Sequence, residues 1–315
     1  MQWCQCCAPF PFDLAMTRPR LLSVASVVAS ALVWGTSFAV SKAALASIPP
    51  LWLAWLRFVC ATAFLFVWLL LRHEDLRLGR REMFGMVAGG ILGYTLNHIF
   101  ENVGLALSTA SDISLMMGIF PVLSLIVEGL VYHRKFSRTE LGGIALSVLG
   151  VVLIIGPGAL LGAARTRRLV GDSLIVLSGV CWAFYSLLVK NLAQSSSPAK
   201  TAMFQMLFGS VVLLPLAAAF ETPPAAIPTT AAWAVAYLVV LCSVGGYSLY
   251  NYGVAGMTST QAVNILNLIP VFGVLTSWAL LHETILPVQV AGGAIVLAGV
   301  VLSLHAPSEV PASPS

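Results

Sequence analysis

The chain has 315 residues, of which 59% are hydrophobic and only 9% are charged, and its net charge is +4 at pH 7. A mean hydropathy of +0.94 is far above that of a water-soluble domain, so the composition excludes a soluble enzyme. The small, dispersed positive charge does not indicate a nucleic-acid partner and is instead useful for orienting the chain in a membrane.

The N-terminal tail, residues 1–20, contains a Cys-x-Cys-Cys cluster. No His or second Cys pair follows to complete a four-ligand site, so no metal is predicted there. Met16 begins a short basic lead into the first apolar run, which favours interpreting residues 1–15 as an extension before the native start. That apolar run has no convincing cleavage site, so we expect it to remain as a membrane span.

Ten apolar stretches follow, and a helix that crosses a bilayer needs about 20 such residues. Because they are continuously hydrophobic, they favour helices over the alternating strands of a membrane barrel. We number them spans 1 to 10, at residues 21–43, 50–71, 84–105, 109–131, 139–156, 172–193, 201–220, 232–254, 259–281 and 286–304.

The two halves of the sequence are similar to each other at a nearly fixed offset, which indicates an internal duplication. We expect a first repeat at 21–156, an arginine-containing loop at 157–171, a second repeat at 172–304 and a C-terminal tail at 305–315. At an offset of 148, segment 34–42 aligns with 182–190, and at 149 the matches are Glu101-Asn102-x-Gly104 with Tyr250-Asn251-x-Gly253, Pro121 with Pro270, His133 with His282, and Gly150 with Gly299.

The orientation follows from the span count and the positive charges. Five spans per repeat is an odd number, so the second copy must enter the membrane from the opposite side and the repeats are inverted. With the N-terminus inside, 11 Lys and Arg residues are cytoplasmic and 4 are outside, which satisfies the positive-inside bias. We therefore expect both termini in the cytoplasm and a bacterial-type inner (plasma) membrane location.

Several short motifs occur in order along residues 21–304. They are Trp34-Gly35-x-x-Phe38, Pro50 with Leu56-Arg57-Phe58, Gly104-Leu105, Pro121, Pro270 and His282-Glu283. By these motifs the chain resembles the drug/metabolite transporter superfamily, in its EamA-type ten-span branch. The resemblance implies an all-α membrane protein with ten transmembrane helices in two inverted five-helix repeats. It also implies transport of amino acids, other metabolites or cationic drugs, mostly outward.

The first repeat departs from the family pattern. The acidic residue usual after span 4 is replaced by the run His133-Arg134-Lys135, and acids stand instead at Glu101, Asp112 and Glu128. This departure leaves the substrate open.

Aromatic residues near the span centres are the first candidates for a substrate site, because inverted-repeat transporters bind substrate near the bilayer midplane. Trp34 and Trp182 are repeat-related, and Phe38 and Tyr185 lie one turn further along the same faces. Together with Tyr94 of span 3, they would suit an apolar or aromatic substrate. The alternative is that they only pack between helices.

Span 3 has the densest polar set. Asn97 and Glu101 are one turn apart on one face, and His98 lies on the adjoining face. A charged side chain at the membrane centre costs about 2.5–3.5 kcal/mol, so Glu101 is expected to face a cavity or a partner. It would bind a substrate ammonium group or a proton, or else form a static ion pair with Arg57 of span 2.

The second repeat supplies a matching polar set. Amide side chains bind substrate carboxylate or amide groups, but they also bridge membrane helices without any role in transport. The candidates are Tyr247, Tyr250 and Asn251 in span 8, and Asn264 and Asn267 in span 9.

Two further features concern coupling and gating. Asp112, at the start of span 4, is expected to cap its helix, and with Arg57 and Glu101 it is a candidate for proton or ion coupling. Pro121 and Pro270 each remove a backbone hydrogen bond, which predicts a repeat-related pair of kinks as candidate gating points.

No motif indicates an enzyme, a cofactor or a metal, since Ser/His/Asp ordering, zinc motifs and phosphate-binding loops are lacking. The sequence predicts a secondary transporter that exports small metabolites by alternating access through a central cavity, with aromatic or other hydrophobic amino acids favoured. The alternatives are a polyspecific exporter of lipophilic cationic drugs and a non-transporting membrane scaffold or sensor. Its partners are a small-molecule substrate and the lipid bilayer, and no oligomeric state is indicated.

Overall fold

The fold is helical throughout the described part of the chain. The computed structural model describes residues 18–133, 136–155, 163–192, 197–254 and 265–304, and in these ranges it contains helices and no strand. Within these described ranges, seven helices are long and apolar enough to cross a membrane. The chain is therefore an all-α, multi-pass membrane protein.

Six of the predicted spans are single helices. Span 6 begins at Ala163, earlier than predicted, because its first turns contain arginines that the apolar pattern assigned to the loop. The helices of spans 1, 2, 5, 6, 7 and 10 are Arg18–Ala44, Pro50–Leu71, Arg138–Ile155, Ala163–Leu192, Pro198–Phe220 and Pro287–Leu304.

The other four spans are interrupted. Their segments are Arg80–Gly89, a π-helix Gly90–Leu96 and Asn97–Leu107 in span 3; Ala110–Met116, a 3₁₀ turn Met117–Ile119 and Phe120–Val131 in span 4; Thr229–Tyr237, a π-helix Leu238–Gly246 and Tyr247–Val254 in span 8; and Ile269–Leu281 in span 9. The helices of spans 5, 9 and 10 are not among these seven candidates and are shorter than any of them, so the count of ten crossings stays a prediction.

The interruptions occur at equivalent positions in the two repeats. Shifting the first π-helix by 149 residues places it inside the second. Pro121 and Pro270 each stand at the start of a helix that follows a break, where a missing N–H breaks no helical hydrogen bond. His133 and His282, which follow these helices, both have left-handed backbone, with φ of 51° and 54°. Whether the breaks act as gates stays a prediction.

The two repeats are interlocked, because their helices pack mainly against helices of the other repeat. Span 1 contacts spans 8 and 9, and in the same way span 6 contacts spans 3 and 4. Span 2 contacts the π-helix of span 8, and span 7 contacts that of span 3. Spans 2 and 7 pair with each other, as do spans 5 and 10. Each contact thus has its repeat-related counterpart, as inverted repeats require.

The outer surface of this bundle is apolar. Large side chains such as Leu71, Phe84, Phe220 and Trp233 are more than 70% exposed. A soluble protein rarely leaves such side chains in continuous exposed bands, whereas lipid tails cover them.

Spans 5 and 10 approach each other through glycines. A Cβ atom on Gly150 would lie 2.7 Å from the carbonyl oxygen of Gly292, and one on Gly292 would lie 2.8 Å from that of Gly150. Only glycine allows the two backbones this distance, which is how small residues join membrane helices.

We predict that Gly150→Ala destabilises the protein by about 1–3 kcal/mol, because the new methyl group meets backbone that cannot move aside. Gly142→Ala, in the same helix, is the control, since its Cβ would meet only Leu302 at 4.0 Å. Thermal unfolding in detergent, followed by size-exclusion chromatography, should give a lower Tm for the first variant alone. Equal Tm values would contradict the packing described.

Candidate functional site

One aromatic group joins spans 1 and 8. The ring of Trp34 lies 5.1 Å from that of Tyr247 and 5.5 Å from that of Tyr250. The Trp34 indole N–H donates to the carbonyl oxygen of Cys242 at 3.0 Å, in the second π-helix. This bond fixes the indole, and it also satisfies a polar group that would otherwise be buried alone.

A second aromatic group joins spans 2, 3 and 6. Trp182 lies 5.2 Å from Tyr185, which lies 6.0 Å from Tyr94. Phe58 packs edge-on against both Tyr94, at 5.2 Å, and His98, at 4.5 Å. These distances are typical of attractive ring pairs. Phe58 was not among the predicted site residues, although it directly follows Arg57 in the span 2 motif.

A glycine lies directly against a ring of each aromatic group. A Cβ atom on Gly246 would lie 2.5 Å from the Trp34 indole nitrogen, and one on Gly93 would lie 2.7 Å from Cε2 of Tyr185. Both glycines belong to the π-helices. π-helical turns often occur at functional sites, and here each brings a backbone directly beneath a candidate binding residue.

The amides and the imidazole of span 3 bond to other groups of the protein. Asn97 accepts a hydrogen bond from the Ser178 hydroxyl at 2.8 Å, and its amide nitrogen lies 3.3 Å from Nδ1 of His98. Nδ1 of His98 also lies 3.2 Å from the carbonyl oxygen of Gly93. Asn102 donates to the carbonyl oxygen of Pro50 at 3.1 Å. These contacts favour helix bridging for Asn97, to span 6, and for Asn102, to span 2. Both of these His98 contacts lie within span 3.

Arg57 and Glu101, unlike these residues, are buried charged side chains. They are 7% and 8% exposed, and each lies roughly 10 Å along its helix from Pro50 and Leu107, at the same end of the bundle. Arg57 donates from Nε to the Ser243 hydroxyl at 2.9 Å. The two charges are near enough to interact electrostatically, but among the described residues the single salt bridge lies elsewhere. The expected contact ion pair is therefore not formed.

The remaining candidates lie apart or outside the described residues. Phe38 is 3% exposed and belongs to a core cluster with Leu105, Ile113 and Met116, where it packs between helices. Asn267 is part of the break before Pro270. Asn264 and the side chain of Asn251 lie outside what the structure describes.

A polar network, the Asp112 cluster, closes the same end of the bundle. The Asp112 carboxylate contacts Arg168 and accepts a hydrogen bond from Gln289. Ser108 donates to Asp172 at 2.5 Å. Helix capping at this position belongs to Thr109, whose hydroxyl accepts from the Asp112 N–H at 3.2 Å, so the expected cap role of the Asp112 side chain was wrong. A cleft of about 420 Å³ lies beside this cluster.

Two glutamates of the second repeat cap helices of the first. Glu283 accepts from the backbone N–H groups of Ala110 and Ser111, both at 2.9 Å, and completes the Asp112 cluster. Glu221 accepts from the N–H groups of Leu51 and Trp52 at the start of span 2. Burial raises the pKa of Glu221, and these two backbone hydrogen bonds lower it again. Carboxylates at helix N-termini are favourable because they meet unpaired N–H groups and the positive end of the dipole.

The sequence contains the His282-Glu283 motif, but it did not indicate that Glu283 binds the start of span 4. It also missed Arg168 and Asp172, because both stand at the start of span 6, where charges resemble ordinary loop markers. No signal in the sequence pairs them with Asp112 and Ser108. Only the packing of span 6 against spans 3 and 4 brings these residues together.

Comparisons with known proteins agree with this architecture. Residues 21–156 and 169–305 each match the model of the EamA-like transporter family. An uncharacterized transporter of Archaeoglobus fulgidus is 29% identical over 86% of this chain and 93% of its own. One solved structure superposes with a TM-score of 0.62 at 18% identity, over 89% of this chain and 96% of its own, which shows a shared fold.

Some of the relatives have a named cargo. A protein of Chlamydia trachomatis serovar L2, 26% identical over 84% of both chains, is an S-adenosylmethionine/S-adenosylhomocysteine transporter. A protein of Streptantibioticus cattleyicolor, 25% identical over 68% of this chain and 70% of its own, is a probable terminal-alkyne amino-acid exporter.

We predict that Glu283→Ala lowers stability by about 1 kcal/mol, because span 4 loses its carboxylate cap. Glu283→Gln should lose less, since the amide oxygen can still accept one of the hydrogen bonds. Thr284→Ala, at the exposed neighbouring position, serves as the control. Tm measurements in detergent check the order, and a Glu283→Ala variant as stable as the control would contradict the cap.

Proposed function

Since the chain belongs to the EamA-like transporter family, we propose that it exports a small metabolite, with aromatic or other hydrophobic amino acids as the favoured cargo. The observation that carries this proposal is a buried carboxylate, Glu101, one helical turn from His98, which packs against Phe58 in the second aromatic group. The two aromatic groups contain residues of both repeats. Aromatic walls hold an apolar side chain, while the carboxylate binds an ammonium group.

The named cargoes of the relatives support an amino acid. S-adenosylmethionine, S-adenosylhomocysteine and a terminal-alkyne amino acid differ in their side chains but all carry an ammonium and a carboxylate on one carbon. A site that recognises this common part can serve different side chains through changes in its aromatic walls.

A lipophilic cation is the second candidate cargo. The buried Glu101 carboxylate favours it, because a cation would supply the missing counter-charge. Arg57 disfavours it, since a guanidinium near the same site repels a ligand that has only positive charge.

Alternating access gives the Asp112 cluster a role. Its contacts Ser108–Asp172, Asp112–Arg168, Asp112–Gln289 and Ser111–Glu283 all join one repeat to the other. Any movement that opens this end of the bundle must break them. We infer that the cluster holds the end closed, and the positive-inside bias assigns this end to the outside of an inner membrane, with both termini cytoplasmic.

We predict that Glu101→Gln abolishes counterflow of a labelled amino acid in proteoliposomes, because a neutral amide cannot bind the ammonium group equally well. A screen of labelled amino acids, organic cations and nucleosides identifies the cargo first. Glu74→Gln, at an exposed loop position, is the control. Wild-type rates in Glu101→Gln would contradict its role, and competition by quaternary ammonium compounds but not by amino acids would favour the cation exporter.

We also predict that Asp112→Asn opens the closed end, because Arg168 loses its charged partner. The measurement is maleimide labelling of Leu105→Cys, a fully buried position below the cluster, in a background whose native cysteines are replaced by alanine. Breaking a buried pair costs enough to speed labelling about tenfold or more. Asp75→Asn, on an exposed loop, should leave the rate unchanged, and an unchanged rate in Asp112→Asn would argue against a latch.

A further inference from the structure

Two opposite charges are buried near each other without touching. Arg57 and Glu101 are both more than nine-tenths buried, they belong to spans 2 and 3, which pack against each other, and no nitrogen of one lies within 4.0 Å of an oxygen of the other. A direct salt bridge is the usual way to stabilise such charges inside a membrane. An arrangement that keeps them apart leaves both able to bind a third group.

The hydrogen bonding of Arg57 also leaves its guanidinium able to bind a third group. Among the described residues, Arg57 donates a hydrogen bond only from Nε, to the Ser243 hydroxyl, and its guanidinium lies 5.6 Å from the centre of the Phe58 ring. Its terminal nitrogens therefore make no hydrogen bond to a described residue. A guanidinium presents its terminal N–H groups as a planar fork that matches a carboxylate with two parallel hydrogen bonds. Ser243 fixes the plane of this fork and acts as a positioning residue.

The internal repeat is broken at these positions. Shifted by 149 residues, Glu101 falls on Tyr250 and His98 on Tyr247, and at the offset of 148 that relates Pro50 to Pro198, Arg57 falls on Gln205. The first repeat therefore supplies both charges, and the second supplies uncharged side chains at the equivalent places, two of them aromatic. A site with charges on one side and rings on the other suits a ligand that is polar at one end and apolar at the other.

We propose that Arg57 and Glu101 together bind the head group of an α-amino acid. Arg57 binds the carboxylate of the ligand, and Glu101 binds its ammonium group. This assignment rests on the proposed amino-acid export and names the residues that recognise the class. The zwitterion replaces the missing salt bridge, since each of its charges meets the opposite charge of the protein. The apolar side chain of the ligand then lies against the Trp34 and Tyr247 rings.

The test uses three probes that differ only in charge. L-Phenylalanine has both groups, L-phenylalaninamide lacks the carboxylate, and 3-phenylpropionate lacks the ammonium group. Binding to the purified full-length protein is measured by titration of its tryptophan fluorescence. We expect L-phenylalanine to bind at least about 30-fold more tightly than either analogue, because each analogue leaves one buried charge without its partner.

The Arg57→Gln variant tests whether Arg57 binds the carboxylate of the ligand. The variant should weaken L-phenylalanine about 30-fold or more while leaving the amide within about threefold, since the amide has no carboxylate to lose. Glu101→Gln should weaken L-phenylalanine and leave 3-phenylpropionate nearly unchanged. Arg72→Gln, an exposed arginine at the end of the same helix, should alter none of the three affinities.

The outcomes separate this assignment from the proposed function. If Arg57→Gln weakens all three probes alike, or weakens none, the head-group assignment is wrong although amino-acid export stands. If the wild-type protein neither binds nor transports any amino acid, the proposed function itself fails. Should Arg57→Gln not fold, Arg57→Lys keeps the charge but not the fork, and must still weaken L-phenylalanine more than the amide.

Discussion

The hydrocarbon interior of a membrane does not solvate charge, and the arrangement of this protein depends on that constraint. Its few buried charged side chains must each meet another charge, a backbone dipole or a ligand. Asp112 meets Arg168, and Lys42 donates to the carbonyl oxygens of Leu105 and Ser108, at 2.6 and 2.5 Å. Arg57 and Glu101 lack such a direct partner among the described residues, which is why we assign the substrate to them.

Inverted duplication explains how the remaining structure supports this site. The repeats interlock, so that spans 1 and 6 each pack against two spans of the other half. Trp34 of span 1 and Tyr185 of span 6 therefore lie against the π-helices of spans 8 and 3, whose glycines admit the aromatic rings. The backbone follows the repeat closely, whereas the side chains at the site do not. A symmetric scaffold with an asymmetric site can offer a zwitterion two charges from the first half and aromatic rings from both halves.

Much of the fold was predictable from sequence, and the pairing of polar groups was not. Continuous apolar runs predict helices, and the fixed offset of 149 predicts the repeat, because both are local or periodic signals. The partners of Asp112 and Glu283 depend on which helices pack together, which no local pattern encodes. Charges at the start of span 6 resembled loop markers, so Arg168 and Asp172 were missed. The pattern also suggested an ion pair between Arg57 and Glu101, since equal depth does not fix a distance of a few ångströms.

The central claim is that one amino acid binds between Arg57 and Glu101. A structure of the protein with L-phenylalanine bound tests it most directly. We predict the carboxylate within hydrogen-bonding distance of the terminal nitrogens of Arg57, the ammonium group on the Glu101 carboxylate, and the phenyl ring against Trp34. A ligand bound elsewhere, or with its phenyl ring between the two charges, would contradict the account.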